Sequence, residues 1–359
     1  LERGALFFLM KKNLSSLIIA LTFVSCKSHS PQVTIYAGTG VAGAANGKTT
    51  EAAFSGLMGL AIDTNGNIFV ADSRNNMIRE ISADGVVSTL AGNGKQGSVD
   101  GKAASASFFS PAGIAAGPGG SVYVADTQNS LVRKISREGV VTTAAGALTP
   151  STKDHPDSLA RLDNPWGIVV ARDGTVYFTD WEKNLIRKIG PNGRVSVIAG
   201  ETNPGAKDGK GLSASFFLPQ GIAIDDKGTL YIADTYNNMI RKMDTSGMVT
   251  TLAGKPAPKG KRNIGHKDGK GPAASFNHPC GIAVDKKGIV YVADVGNNKI
   301  RKITPDGTVT TLAGTGLAGA QNGSLDKATF YRPYGIAVDK DGDLYIADYM
   351  NNTVRKISF

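Results

Sequence analysis

Six near-copies of one twelve-residue string run through the chain, and this repeat restricts the possible folds more than any other feature. The fifth copy reads VADVGNNKIRKI (292–303), and every copy places an Arg seven residues after an Asp. Self-similarity at a fixed period is typical of proteins built from repeated structural units. Successive aspartates lie 54, 54, 54, 60 and 54 residues apart, and the six are Asp72, Asp126, Asp180, Asp234, Asp294 and Asp348.

Each repeat predicts four short β-strands joined by tight turns. In the fifth repeat the candidate strands are 280–285, 289–294, 299–304 and 308–313, which are rich in Val, Ile and Thr. Glycine separates these runs and accounts for 45 of the 359 residues, which favours turns over helices. Four-stranded antiparallel sheets that repeat around an axis form the blades of a propeller. We therefore predict an all-β, six-bladed β-propeller of four-stranded antiparallel blades.

The last repeat lacks a fourth strand, because Phe359 follows directly on the third. The stretch VTIYAGTG (33–40) resembles VTTLAGTG (309–316), which contains the fourth strand of the fifth repeat. We therefore expect residues 33–38 to complete the blade that residues 334–359 begin, in a 3+1 arrangement. Such a closure removes a free sheet edge.

The complete unit resembles the NHL repeat. It reads P-x-G-I-A-V-D, then G-x-L-Y-V-A-D-x-x-N-N-x-I-R-K-I, then G-x-V-T-T-L-A-G, and the resemblance covers residues 33–359. The lead-in DGKAASASFFSP (100–111) is similar to loops of secreted bacterial NHL proteins. The resemblance implies a six-bladed propeller. It leaves the function open, because NHL propellers include binders of protein, RNA and ligands as well as a few enzymes.

Residues 1–25 predict an export signal whose true start is Met10. Two lysines, the apolar run LSSLIIALTFV (14–24) and Ser25-Cys26 follow that start. The stretch resembles a bacterial lipoprotein signal, which implies a lipid on Cys26 and a linker at 26–32. The protein would then be an outer-membrane lipoprotein of the cell envelope, on either the periplasmic or the surface side of that membrane. An ordinary cleaved signal is the alternative. Only Cys280 then remains as a thiol, so we expect no internal disulfide.

The formal net charge of +10 favours an acidic partner. For an exported chain this partner is an acidic glycan, a lipid surface or an envelope polymer, and we expect a monomer with no nucleic acid partner. Basic residues are concentrated in an insertion at 255–271, which accounts for the one spacing of 60 residues. The insertion either contacts an anionic partner or is a solvated loop.

Positions that are identical in all six repeats are interpreted as scaffold, because every blade needs them. We expect each repeated Asp to pair with an Arg and to accept backbone N–H groups of the turn that follows it. Positions that differ between repeats are free to form a site. On the face that carries the long loops, the variable positions supply an aromatic and polar set: Arg74, Trp166, Trp181, Gln220, Tyr236, Arg332, Tyr334 and Tyr349.

Aromatic faces beside polar groups suit a sugar ring or a peptide. We therefore predict that the long-loop face binds a glycan, peptide or protein; alternatively, the rings only cap the core at the channel mouth. A second hypothesis is a hydrolase or lyase at that mouth, with His278, Cys280, Arg332 and Tyr334 as candidate catalytic residues. We expect no metal, since one pre-proline histidine cannot hold zinc. We also expect no cofactor, since the sequence contains neither a phosphate-binding motif nor a nucleophile-elbow motif.

Overall fold

Six antiparallel sheets are found in the part of the chain that the computed structural model describes, residues 30–146, 161–257 and 263–359. Each sheet contains four main strands, labelled a, b, c and d in their order across the sheet. The a strands of neighbouring blades contact one another and surround a central channel. The predicted six-bladed β-propeller is therefore confirmed.

The main strands of each blade, from a to d, have the following bounds. Blade 1 has Leu57–Ile62, Ile68–Asp72, Met77–Ile81 and Val86–Ala91, and blade 2 has Ile114–Ala116, Val122–Asp126, Leu131–Ile135 and Val140–Ala145. Blade 3 has Pro165–Val170, Val176–Asp180, Leu185–Ile189 and Val195–Ala199, and blade 4 has Ile222–Ile224, Leu230–Asp234, Met239–Met243 and Met248–Ala253. Blade 5 has Pro279–Val284, Val290–Asp294, Lys299–Ile303 and Thr308–Ala313, and blade 6 has Pro333–Val338, Leu344–Asp348, Thr353–Ser358 and Gln32–Ala37.

Short 3₁₀ helices are the helical elements of the described residues. In every blade one of them joins strand b to strand c: Ser73–Asn75, Thr127–Asn129, Trp181–Lys183, Thr235–Asn237, Val295–Asn297 and Tyr349–Asn351. The others are Pro118–Gly120, Gly211–Ser213 and Gly271–Ala273. Within the described ranges no helix has the length and apolar character needed to cross a membrane. The predicted export signal and Cys26 lie outside those ranges.

Blade 6 is closed by the first strand of the described chain. Gln32–Ala37 pairs antiparallel with Thr353–Ser358, with Val33 opposite Ile357 and Ile35 opposite Arg355. Val33 is fully buried in a cluster that combines side chains of blades 5 and 6. The predicted 3+1 closure is confirmed.

Five of the six sheets carry a short fifth strand that the sequence analysis did not predict. It belongs to the long loop that leads into the blade, and it pairs with strand d of that blade. An outer strand without a neighbour presents unpaired backbone groups, and the added pair of residues covers part of that edge. The short strands are Gly47–Lys48, Gly101–Lys102, Gly209–Lys210, Gly269–Lys270 and Gly323–Ser324.

The repeated Asp and Arg form a buried ion pair in every blade, with N–O distances of 2.7 to 2.9 Å. In blade 5, Arg301 Nη1 donates to Asp294 Oδ2 at 2.7 Å, and its Nη2 donates to Asp268 Oδ1 at 2.7 Å. The guanidinium carbon also lies 5.1 Å from the centre of the Phe276 ring. The scaffold interpretation of these charged residues is therefore confirmed.

The backbone N–H group that each Asp accepts differs from the predicted one. Asp294 Oδ1 accepts the N–H of Asn277, which lies in the loop before strand a, at 2.8 Å. The turn after Asp294 contributes a side chain instead, since Asn297 Nδ2 donates to Asp294 Oδ2 at 2.8 Å. The carboxylate therefore ties strand b to strand c and also to the loop that enters the same blade.

The glycine of the P-x-G motif permits close contact between blades at the channel. A Cβ on Gly281 would overlap the carbonyl oxygen of Tyr334 in the next blade, and the corresponding glycine of every other blade meets the same obstacle. Only glycine fits where two backbones approach so closely. The six glycines are Gly59, Gly113, Gly167, Gly221, Gly281 and Gly335.

The closure of blade 6 can be tested with two neighbouring substitutions in its d strand. Val33→Asp should lower the free energy of unfolding by more than about 3 kcal/mol, because it buries an unpaired carboxylate. Thr34→Asp, on the exposed face of the same strand, should change it by less than about 1 kcal/mol. Urea unfolding followed by circular dichroism measures both values. Equal losses for the two variants would contradict the observed strand pairing and burial.

Candidate functional site

A pocket opens on the long-loop face beside the channel mouth, between blades 4, 5 and 6. Its cavity volume is about 310 Å³, and its described lining residues are Gln220, Thr235, Tyr236, His278, Val295, Gly296, Arg332 and Tyr334. The structure thus brings together four of the predicted ligand-binding residues with His278 from the predicted catalytic set. Phe217 lies beside them, since its ring centre is 5.4 Å from that of Tyr236. The sequence analysis missed Phe217 because aromatic residues also occur near this position in other blades.

Tyr334 extends this cluster toward blade 1. Its ring centre lies 5.1 Å from that of Tyr349, and the Arg74 guanidinium carbon lies 5.0 Å from the centre of the Tyr349 ring. Gly56 leaves the space for this arginine, because a Cβ there would lie 2.8 Å from Arg74 Cδ. Arg74 therefore joins the site by cation–π stacking.

His278 is oriented by Tyr236 and by two residues that the sequence analysis did not single out, Asn277 and Gly296. Its Nδ1 lies 2.9 Å from Asn277 Oδ1, and its ring meets the Tyr236 ring edge-on with centres 5.2 Å apart. Gly296 accommodates Asn277, because a Cβ there would lie 2.5 Å from the amide nitrogen of Asn277. A carboxamide oxygen only accepts, so this contact favours a proton on His278 Nδ1.

The two tryptophans form a second aromatic group on blade 3. Their ring centres lie 5.3 Å apart, and the Trp166 side chain donates a hydrogen bond to the Cys280 thiol. Trp166, Cys280 and Tyr334 line the channel together with Met58 and Ala112. The tryptophans thus border the same channel mouth as the pocket, but they are not part of the pocket lining.

The position directly after the repeated Asp has two different uses. In blades 1, 2 and 4 it is Ser73, Thr127 or Thr235, whose hydroxyl donates to a proline carbonyl oxygen of the next blade. In blades 3 and 6 it is Trp181 or Tyr349, which cannot make this bond through a short hydroxyl side chain. Blade 3 bonds to its neighbour through Thr179 instead, whose Oγ1 donates to the Gln220 carbonyl oxygen at 2.8 Å. In blades 3 and 6 the aromatic residues therefore occupy the position that makes this hydrogen bond between blades elsewhere.

The residue before the strand-a proline has left-handed backbone geometry in five blades. These residues are Ser110, Asn164, Leu218, His278 and Arg332, with φ between 47° and 57°, and blade 1 has Gly56 at this position. A side chain in this region is strained by about 1 to 3 kcal/mol. A polar side chain of the preceding blade holds the local N–H, as Asn238 does for His278 at 2.7 Å and Asn298 for Arg332 at 2.8 Å.

Burial determines the protonation of two candidate catalytic residues. Burial raises the pKa of the Cys280 thiol to about 12. Burial also raises the pKa of the Tyr334 hydroxyl, and the nearby Arg332 opposes this rise in part. Both groups are therefore neutral at pH 7. A protonated, buried thiol is a poor nucleophile, so Cys280 is unsuited to covalent catalysis.

Among the described residues, the pocket lining includes no metal cluster and no residue of 255–257 or 263–271. Across residues 30–146, 161–257 and 263–359, no group of three or more His, Cys, Asp or Glu side chains could hold a metal ion. In the described part of the insertion, Lys270 pairs with Asp306 at 2.9 Å. That contact lies at the outer edge of blade 5, next to its c–d turn. Residues 258–262 lie outside the described ranges.

The strained position of Arg332 yields a stability prediction. Arg332→Gly should leave the free energy of unfolding unchanged or raise it by up to about 1 kcal/mol, because glycine adopts positive φ without a steric penalty. Arg332→Val should lower it by more than about 1 kcal/mol, because a β-branched side chain is least tolerated there. Chemical denaturation of the two variants tests the pair. A large loss in the glycine variant would show that the arginine is retained for stability.

Similarity to known families covers most of the chain. Residues 94–319 match the family model described as SMP-30/Gluconolactonase/LRE-like region, and residues 330–357 match the NHL repeat. The chain is 30% identical over 325 residues to NHL repeat-containing protein 2 of Bos taurus, covering 80% of this chain and 44% of that protein. The chain spans less than half the length of the curated relatives it matches.

Solved structures share the fold at low sequence identity. An auxiliary nutrient binding protein of Bacteroides thetaiotaomicron is 20% identical with a TM-score of 0.70, covering 91% of this chain and 76% of that one. A virginiamycin B lyase of Staphylococcus aureus is 16% identical with a TM-score of 0.56, covering 88% and 98%. Such identities show the fold alone. Because the first family match covers more than half of the chain, and because the predicted NHL resemblance is confirmed, this protein belongs to the SMP-30/gluconolactonase/LRE-like family and is an NHL-repeat β-propeller.

Proposed function

We propose that this propeller is a binding module that holds a glycan, peptide or protein ligand at the pocket between blades 4, 5 and 6. One observation carries the proposal: the variable positions of the repeat, and not its scaffold positions, converge on this pocket. Loops on a rigid scaffold are where binding residues are usually found. Tyr236 and Tyr334 supply ring faces, and Gln220, His278 and Arg332 supply polar groups.

The open volume supports binding over a purely structural cap. Residues that only close a core pack against one another without space for a ligand. Here a cavity of about 310 Å³ remains between the rings and the loops. Arg332 is exposed despite its strained backbone, which is costly for a residue without a role on that surface.

The proposed location is the bacterial cell envelope, with the protein exported and attached to the outer membrane by lipid on Cys26. This part of the proposal rests on the sequence of residues 1–26. The fold that the chain shares with a nutrient binding protein of Bacteroides thetaiotaomicron supports a binding role at such a location.

A hydrolase or lyase is the second candidate function. It is favoured by the presence of His278, Arg332 and Tyr334 in one pocket, which offers an acid–base residue and a cation to one ligand. The lyase of Staphylococcus aureus shares the fold. Cys280 is not assigned a role in this chemistry, because its thiol is protonated at neutral pH.

The binding proposal can be tested on a glycan array and a peptide library. We expect the purified protein to retain a ligand from one of them, and Tyr236→Ala/Tyr334→Ala to weaken that binding at least tenfold by removing both ring faces. Tyr123→Ala, on strand b of blade 2, is the matched control and should bind normally. Equal binding by the double variant would contradict the proposed site. Turnover of a retained ligand that His278→Ala abolishes would establish the enzyme instead.

The lipid anchor predicts a change in cell fractionation. Cys26→Ser should move the protein expressed in a bacterial host from the membrane fraction to the soluble fraction, because the acceptor of the lipid is lost. Cys280→Ser is the control and should stay with the membranes. Immunoblots of the two fractions measure the distribution. An unchanged membrane fraction for Cys26→Ser would contradict the lipoprotein assignment.

A further inference from the structure

We propose that the pocket between blades 4, 5 and 6 recognises a sugar that carries a carboxylate, that is, a uronic acid residue of an acidic glycan. This inference rests on the proposed binding function and narrows its ligand. Arg332 would bind the carboxylate, the rings of Tyr236 and Tyr334 would pack against the sugar, and Gln220 and His278 would bind its hydroxyl groups.

The charge of the pocket is the first argument. Arg332 is the one charged side chain among the described lining residues, and no carboxylate of the described residues forms a salt bridge with it. Arg74 lies over the Tyr349 ring, and no acidic side chain of the described residues pairs with it. An exposed arginine with a planar fork of donors fits a carboxylate through two hydrogen bonds. The lining therefore favours an anionic ligand.

The side-chain amide of Gln220 is the second argument. Gln220 lines the pocket, and only 7% of its surface is exposed. Its backbone carbonyl oxygen accepts the Thr179 hydroxyl and its backbone N–H donates to the Ala233 carbonyl oxygen. The described residues offer its side-chain amide no hydrogen-bond partner, and neither amide atom is among their fully buried polar atoms, so the amide faces the open pocket. A sugar hydroxyl both donates and accepts, as a carboxamide requires.

His278 is the third argument, because its contact with Asn277 orients its ring at the pocket. Gly296 makes this arrangement possible by leaving room for Asn277. The described lining thus combines the imidazole of His278, a donor and an acceptor on Gln220, and a cation on Arg332.

The character of the lining favours a saccharide over an acidic peptide. Val295 is the one aliphatic side chain among the described lining residues, so this lining offers little apolar surface to a peptide side chain. Two tyrosine rings beside hydroxyl-binding groups match the alternating apolar and polar surfaces of a sugar.

Calorimetric titration of the purified full chain tests this inference. The probes are galacturonate, mannuronate and glucuronate oligosaccharides, each compared with its own methyl ester, together with a glutamate-rich peptide. The methyl ester removes the charge and leaves the sugar ring. We expect at least one acid to bind, and its ester to bind at least tenfold more weakly, since the ester cannot accept charge-assisted hydrogen bonds from Arg332 through a carboxylate.

Arg332→Gln should bind the acid and the ester with equal, weak affinity. Arg137→Gln removes an exposed arginine from the c–d turn of blade 2 and should keep the difference between acid and ester. Equal affinities for acid and ester in the wild type, binding of the peptide alone, or binding of none of the oligosaccharides would each overturn the inference. The broader binding role is judged separately, by whether Tyr236→Ala/Tyr334→Ala loses a ligand on the arrays.

Discussion

The buried ion pair between the repeated Asp and Arg is the interaction on which the rest of the propeller depends. Two buried charges are tolerated only when each is paired and hydrogen-bonded, and in blade 5 the pair is completed by Asn297 of the b–c turn and by Asn277 and Asp268 of the entering loop. The loop N–H that the Asp accepts lies two residues before the strand-a proline, as Asn277 does before Pro279. The pair therefore fixes the loop that presents the functional surface.

A rigid repeat of this kind allows a few positions to vary without loss of the fold. The P-x-G glycine lets the backbones of neighbouring blades meet at the channel, while the residue between Pro and Gly points its side chain to the mouth. Met58, Ala112, Trp166, Gln220, Cys280 and Tyr334 occupy this position. Their differences break the six-fold symmetry. A polar pocket forms at the three successive blades that have Gln220, Cys280 and Tyr334 at this position, and Gln220 and Tyr334 line it.

Most of the site could be predicted from the repeat, because comparing six internal copies separates scaffold from variable positions. Gln220, Tyr236, Arg332 and Tyr334 were expected on one surface and lie around one pocket. Phe217, Asn277 and Gly296 could not be found this way, because their effect depends on contacts between the loop that enters a blade and the b–c turn of the same blade. Gly56 and Gly296 act through the space they leave for Arg74 and Asn277, and a missing side chain carries no chemical signal in a sequence.

The sequence by itself determined the blade number, the order of strands and the closure by residues near the other end of the chain, because these follow from a local pattern repeated at a fixed period. Only the tertiary structure decided which variable residues meet, that Cys280 is buried and protonated, and that the two tryptophans border the pocket without lining it. The physical reason is that blade number depends on hydrogen bonding within each repeat, whereas a pocket depends on side-chain size and burial across several blades.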